Sequence, residues 1–212
     1  MRVVVAGGHG QIAQRLLRML AEGGHEAAGL VRNPEHIADL QALGAEGILA
    51  DLEADDDTAA GVEGADAVVF AAGAGPGSGA ERKRTMDLGG ALKLIDAAKA
   101  GGVRRYLMVS AMGTSDPAAG GPMQPYLEAK AEADAALRDS GLGWTVLKPG
   151  RLTNDAGSGR VALAQRLGRR GKVPRDDVAA VLLACLEHAG TIGRDLELLA
   201  GETPVDEAVR SL

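Results

Sequence analysis

The chain has 212 residues, 46% hydrophobic and 25% charged, enough to bury a sizeable core within one domain. A net charge of −6 and only four aromatic residues (Phe70, Tyr106, Tyr126, Trp144) leave neither a basic face nor stacking platforms for a nucleic acid. One cysteine, Cys185, excludes an internal disulfide and a Cys-rich zinc site, and no apolar run approaches the roughly 18 residues of a membrane span. Four apolar residues, Val3–Ala6, precede Gly7-Gly8, too few for a secretory leader, so a cytoplasmic protein is expected.

Short Val/Ala/Leu runs recur along the chain at Arg2–Ala6, Ala27–Arg32, Gly47–Asp51, Ala67–Ala72, Arg105–Ser110 and Trp144–Lys148. They lack polar alternation, as expected of strands buried on both faces. Helical spacing fills the intervals: Ile12, Leu16, Met19 and Leu20; then Leu88, Ala91, Leu92, Ile95 and Ala98. A third stripe, Val178, Val181, Leu182, Cys185 and Leu186, follows an acidic start at Asp176-Asp177 and assigns Cys185 to core packing. This alternation predicts an α/β fold with a doubly wound parallel sheet of at least six strands in the order 3-2-1-4-5-6. Ligands of such a fold lie at the carboxyl ends of the strands. The Gly/Pro-rich stretches Gly73–Gly79 and Gly113–Gln124 both follow strands and read as loops over that crevice. With no composition break, residues 1–212 read as a single domain in which 150–212 form a small C-terminal cap on the substrate side.

The first strand runs into Gly7-Gly8-His9-Gly10-Gln11-Ile12-Ala13, a G-x-x-G-x-x-A loop opening a helix. Gly7 permits the tight turn, Gly10 lets backbone approach a pyrophosphate, and Ala13 permits close helix–strand packing. Free amides at the helix start, with His9, Gln11 and Ile12 in the same loop, hold phosphate. A dinucleotide fold usually places an acidic residue about 20 residues beyond the glycines. Here the second strand ends in Val31-Arg32, and a guanidinium forks onto a 2′-phosphate, which favours NADP (NADPH) over NAD. Arg82-Lys83-Arg84 reads as a solvated helix start, with the alternative that it faces the crevice and favours an anionic ligand. The four histidines (9, 25, 36, 188) show no ligand spacing, and no metal site is proposed.

Taken in order, these segments resemble the atypical short-chain dehydrogenase/reductases, an NAD(P)-binding Rossmann group near the NmrA-like proteins, the epimerase-dehydratase-like proteins and the flavin and biliverdin reductases. The matching residues include Ala6–Ala13, Val31-Arg32, Ala50–Leu52, Phe70–Gly73, Met86–Ala91, Val109–Gly113, Tyr126–Lys130, Leu147–Gly150 and Arg175–Ala179. The resemblance implies that Asp51 and Leu52 flank the adenine and that Ala71, Ala72 and Gly73 lie along the middle of the cofactor. It places Pro149 near the nicotinamide, puts Tyr126 and Lys130 in the family's Tyr-x-x-x-Lys pair, and sets Asp87 where other relatives carry an active-site Asn.

A spacing of four puts Tyr126 and Lys130 on one helical face. A phenol with a pKa near 10 is a poor acid–base catalyst at neutral pH, and a nearby ammonium is expected to lower that pKa. Lys130 is also expected to bind the nicotinamide ribose. The family's catalytic hydroxyl usually comes from the second residue of a Ser-Ser pair, but this chain has Ser110-Ala111, which leaves Ser110, Thr114 or Ser115 as substitutes. Two functions remain open. One is an NADP-dependent oxidoreductase or epimerase-like enzyme acting on a small-molecule substrate through Tyr126, Lys130, Ser110 and Asp87. The other is a non-catalytic NADPH-binding redox sensor acting through a protein partner. Neither a nucleic acid nor a membrane is an expected partner, and monomer and dimer both stay open.

Overall fold

The computed structural model describes residues 1–54, 58–75 and 77–212. Strands form where aliphatic residues run together. They are β1 (Arg2–Ala6), β2 (Glu26–Val31), β3 (Glu46–Leu49), β4 (Ala67–Phe70), β5 (Arg105–Val109), β6 (Gly143–Pro149), β7 (Arg151–Thr153), β8 (Arg160–Ala164), β9 (Lys172–Pro174), β10 (Arg194–Ala200) and β11 (Thr203–Pro204). The first six fall close to the six expected runs and pair in parallel as β3-β2-β1-β4-β5-β6. The sheet continues beyond β6 through β10, β8 and β11 to nine strands. β10 is parallel to β6, whereas β8 runs antiparallel to both β10 and β11. β7 and β9 form a separate two-stranded parallel ribbon.

The helices are α1 (Gln11–Glu22), α2 (His36–Ala42), α3 (Thr58–Gly61), α4 (Ala80–Arg82), α5 (Ala91–Ala100), α6 (Gln124–Arg138), α7 (Arg175–Glu187) and α8 (Val205–Arg210). Lys83–Gly90, between α4 and α5, is wound as a π-helix. Two cores result, one on each face of the sheet. Val3 and Val5 of β1 pack with Leu16, Leu17 and Leu20 of α1 and Val178, Val181 and Leu182 of α7. Val4 and Ala6 pack with Phe70, Leu94 of α5 and Ala133 and Leu137 of α6. Successive β1 side chains therefore both meet apolar partners, which is why the strand shows no alternation. Cys185 lies in the first core, fully buried, and burial pushes its thiol up to about 11, the opposite of what a nucleophile needs.

Residues 150–212 join these layers directly, through β8, β10 and β11 in the sheet and α7 against α1. The acidic pair at the start of α7 ties down the preceding loop: Asp177 accepts from the amides of Ser158 and Gly159 at 3.1 and 2.8 Å, and Asp176 pairs with Arg15 of α1. Among the described residues no helix is long and apolar enough to cross a membrane.

β1 sits between β2 and β4, the point where strand order reverses, and the loop after it opens the crevice. Gly7 in that loop has φ +76°, and a Cβ there would lie 2.7 Å from the Cα of Ala72. Gly7→Ala should therefore combine left-handed strain of about 1–2 kcal/mol with a backbone clash. A fall in melting temperature of roughly 4–8 °C is expected by calorimetry. An unchanged melting temperature would show that the loop relaxes freely.

Candidate functional site

A cleft of about 310 Å³ opens at the carboxyl ends of β1, β2 and β4. The site residues Gly7, His9, Gly10, Arg32, Asp51, Leu52, Ala71, Ala72 and Gly73 all line it. Gln11 and Ile12 begin α1. Gly10 caps that helix without a side-chain bond, and the first intrahelical bond runs from Gln14 N–H to the Gly10 carbonyl. The amides of Gln11, Ile12 and Ala13 are therefore without helical acceptors and stand at the positive end of the helix dipole. Ile12 turns its side chain into the core. Gly7 and Gly10 on one side and Ala71–Ala74 on the other keep that part of the wall low, so an extended phosphate-bearing ligand can lie against backbone there. These features fit a dinucleotide.

One end of the cleft is basic. Arg32 lies at its edge, but its guanidinium is not free: Nη1 lies 3.4 Å from Glu53 Oε2, an oxygen shared with Arg82 Nη2 at 3.1 Å. Arg82 lines the cleft too, so the stretch read as a solvated helix start places one of its three cations at the site. Arg84 instead forms a bidentate pair with Glu132, at 2.8 and 3.0 Å. His36 stacks on His9 with ring centroids 3.6 Å apart, and His9 Nε2 lies 2.9 Å from Asp39 Oδ2. The stack stiffens the glycine loop against α2.

Behind the other end lies a buried ion pair. Lys130 Nζ is 3.3 Å from Asp87 Oδ1, and the two side chains are 3% and 1% exposed. Lys130 donates to the Val109 carbonyl at 3.1 Å and sits 5.2 Å from the centre of the Phe70 ring. Asp87, on the π-helix, accepts from the Ala74 amide at 3.1 Å. A Cβ on Gly73 would come within 3.0 Å of Asp87 Oδ1, so this glycine permits the close approach. Asp87 thus holds the cleft wall with one oxygen and faces Lys130 with the other.

Tyr126 lies one turn before Lys130 on α6, half-buried, and its hydroxyl makes no hydrogen bond among the described residues. Its phenol is pushed above the ordinary value, first by burial and then by the carboxylates of Asp87 and Asp134. This corrects the expectation of a lowered pKa: burial disfavours the phenolate, and the nearby carboxylates of Asp87 and Asp134 add to that effect.

Ser110 is buried, and its hydroxyl donates to Asp134 Oδ2 at 2.9 Å, so it is committed to α6. Burial raises the Asp134 carboxyl against the opposing pull of Lys148, Ser110, Arg138 and Lys130. Lys148 continues the network, 3.6 Å from Asp134 and 2.8 Å from Asp195. Pro149, buried at the end of β6, accepts from the Met112 amide at 3.2 Å and so sets the loop after β5. That loop borders a second cavity of about 110 Å³, lined by Thr114, Ser115, Lys148, Gln165, Arg166 and Glu197. Thr114 Oγ1 is buried there with no partner.

Sequence reasoning missed Glu53, His36, Asp134 and Lys148 as members of these clusters. Arg82 was visible only as part of a charge run, and Asp134 only as an acid on an otherwise apolar face of α6.

A glycine loop, a reversed strand order and a cleft of free amides define a dinucleotide-binding α/β protein of the Rossmann class. The chain belongs to the NAD(P)H-binding family, whose sequence model matches residues 7–189. A Bacillus subtilis relative named as an uncharacterized sugar epimerase, YhfK, is 40% identical over 215 residues, covering 100% of both chains. A solved Bacillus halodurans structure named as an NAD-dependent epimerase/dehydratase superposes with a TM-score of 0.96 at 40% identity, again over 100% of both chains. A Veillonella parvula short-chain dehydrogenase/reductase solved with NADP shares the fold, with a TM-score of 0.73 at 19% identity over 97% of each chain.

Ultraviolet titration tests the charge balance around Tyr126. Tyr126 and Tyr106 are the two tyrosines of the chain, so a Tyr106→Phe background isolates the Tyr126 signal. Tyr126 should ionise only well above pH 10, the usual region for a phenol. Adding Asp87→Asn, which removes a nearby negative charge and frees the Lys130 ammonium, should lower that midpoint by about one pH unit or more. An unchanged or higher midpoint would show that Asp87 does not offset Lys130.

Proposed function

We propose that this protein is an NADP-dependent enzyme of the oxidoreductase and epimerase-like type, acting on a small polar substrate held against the loop after β5. The observation that carries the reading is the position of Asp87. It fixes Ala74 on the wall of the dinucleotide cleft and Lys130 on α6, one helical turn from Tyr126, so that one carboxylate joins the cofactor side to the helix that carries a candidate proton donor. The NADP preference rests on Arg32 and Arg82 at one end of the cleft.

A bound nicotinamide would supply hydride. The chain's own residues do the rest. The amides of Gln11, Ile12 and Ala13 receive the pyrophosphate, Asp51 and Leu52 border the adenine, and Ala71–Gly73 leave room for the extended middle. Lys130, with Pro149, flanks the nicotinamide end and orients its ribose. Tyr126 keeps its proton at neutral pH, so it serves as a hydrogen-bond and proton donor to an oxygen on which negative charge develops, which suits the reducing direction. Ser110 holds Asp134 and α6 in place, whereas Ser115, at the second cavity, is the hydroxyl left to meet substrate.

Two measurements test the reading. NADPH should bind more tightly than NADH by roughly ten- to hundredfold, the worth of one charge-assisted contact of about 1.5–3 kcal/mol, and Arg32→Ala should abolish most of the difference. Equal affinities in the unaltered protein would refute the preference. Tyr126→Phe should leave NADPH affinity nearly unchanged while lowering turnover of a small carbonyl or flavin-type substrate by about 10²–10⁴-fold. Full turnover in that variant would place the proton donor elsewhere.

A further inference from the structure

The basic end of the cleft contains an acid that no sequence rule called for. Glu53 lies just beyond Asp51-Leu52, and its backbone amide donates to Asp51 Oδ1 at 2.9 Å. Its carboxylate collects three side-chain donors. Oε2 accepts from Arg82 Nη2 at 3.1 Å and lies 3.4 Å from Arg32 Nη1, while Oε1 accepts from Thr85 Oγ1 at 2.8 Å. The Glu53 side chain is 22% exposed, against 55% for Arg32 and 41% for Arg82. The two guanidiniums border the cleft, and the acid is the more enclosed member of the cluster.

We propose that Glu53 is the specificity-setting residue of this end of the cleft. In the ligand-free protein its carboxylate takes up the N–H groups of Arg32 and Arg82 that a 2′-phosphate would use, and so it selectively weakens 2′-phosphorylated nucleotides. The inference rests on the NADP reading and adds to it a second phosphate-facing arginine, Arg82, and an internal competitor for both.

The physical argument is one of competition. A carboxylate and a phosphate accept the same guanidinium donors, and the phosphate brings three oxygens and a larger charge. Two arginines against Glu53 leave one unit of positive charge, and Asp51 on the same cleft offsets it further, so a phosphate meets a weaker attraction than two free arginines would offer. Thr85 Oγ1 also reaches the Arg82 carbonyl at 3.4 Å, a backbone contact that stays when the guanidinium turns toward ligand, so its bond keeps Glu53 in place. The negative charge therefore stays beside the bound phosphate and opposes it. Arg82 reaches the cluster from α4, while Arg32 comes from the end of β2, so the ligand would clasp two separate elements.

Calorimetric titration of two nucleotides without a nicotinamide tests this directly. Adenosine 2′,5′-bisphosphate carries the 2′-phosphate, and adenosine 5′-monophosphate lacks it. Glu53→Gln should tighten the bisphosphate by about 5–30-fold and change the monophosphate by less than about twofold, a selective gain of the size expected from removing one competing charge. Arg82→Ala should weaken the bisphosphate by about tenfold or more and spare the monophosphate. Thermal melts of each variant confirm that it is folded. A Glu53→Gln protein with unchanged or weaker bisphosphate binding overturns the proposal, since Glu53 would then be orienting the arginines. Equal tightening of both nucleotides overturns it as well, because the effect would be one of overall charge. A wild-type protein that prefers the monophosphate would refute the NADP reading itself, whatever the variants do.

Discussion

The buried pair of Lys130 and Asp87 is the interaction on which the site depends. Four segments meet there: the π-helix that carries Asp87, helix α6 that carries Lys130, the end of β5 through the Val109 carbonyl, and the loop after β4 through the Ala74 amide. Taking two charges out of water is costly, and the mutual attraction repays it only when remaining donors and acceptors are also matched. Here the Ala74 amide meets one Asp87 oxygen and the Val109 carbonyl and the face of Phe70 meet Lys130, while Asp87 Oδ1 has the ion pair alone, with no hydrogen bond among the described residues. The π-helical winding of Lys83–Gly90 is part of the same arrangement. A wider turn is uncommon and recurs at functional sites, and this one sets Asp87 against both the cleft wall and α6.

A second consequence is electrostatic. The Tyr-x-x-x-Lys spacing alone suggests a phenol acidified by its neighbouring ammonium. Burial opposes that influence first, and the negative charges of Asp87 and Asp134 add to the opposition. The phenol is held in its neutral form. The same principle governs the opposite end of the cleft, where Glu53 moderates Arg32 and Arg82. In both places the cation is visible in the sequence; Asp87 is visible beside it only through the resemblance, and Glu53 is not visible at all.

Much of the fold was legible because six strands are apolar on both faces and the helices between them keep a regular apolar stripe. β1 reads plainly because Val3 and Val5 serve one core while Val4 and Ala6 serve the other. β10 was hidden for the converse reason: Leu196 and Leu198 point inward while Asp195 and Glu197 bind Arg138, Lys148 and the Leu167 amide, which gives a short alternating pattern. The π-helix was hidden because Leu88 and Ala91 keep helical spacing across it. The glycine loop and the Tyr–Lys pair are local in sequence and could be read there. Glu53 with Arg82, and Lys148 with Asp195, are brought together by strand order and could not.

The most direct test of the central claim is a double-mutant cycle on Lys130 and Asp87, using Lys130→Met, Asp87→Leu and the pair together, read by denaturant unfolding. Removing one partner leaves a buried charge unmatched, so each single variant should lose about 3–5 kcal/mol, while the double variant should lose much less than the sum. A coupling of about 2 kcal/mol or more is the result this account predicts. Additive losses would mean that the two side chains stabilise the protein independently, and that Asp87 does not join the cofactor cleft to the helix that carries Tyr126.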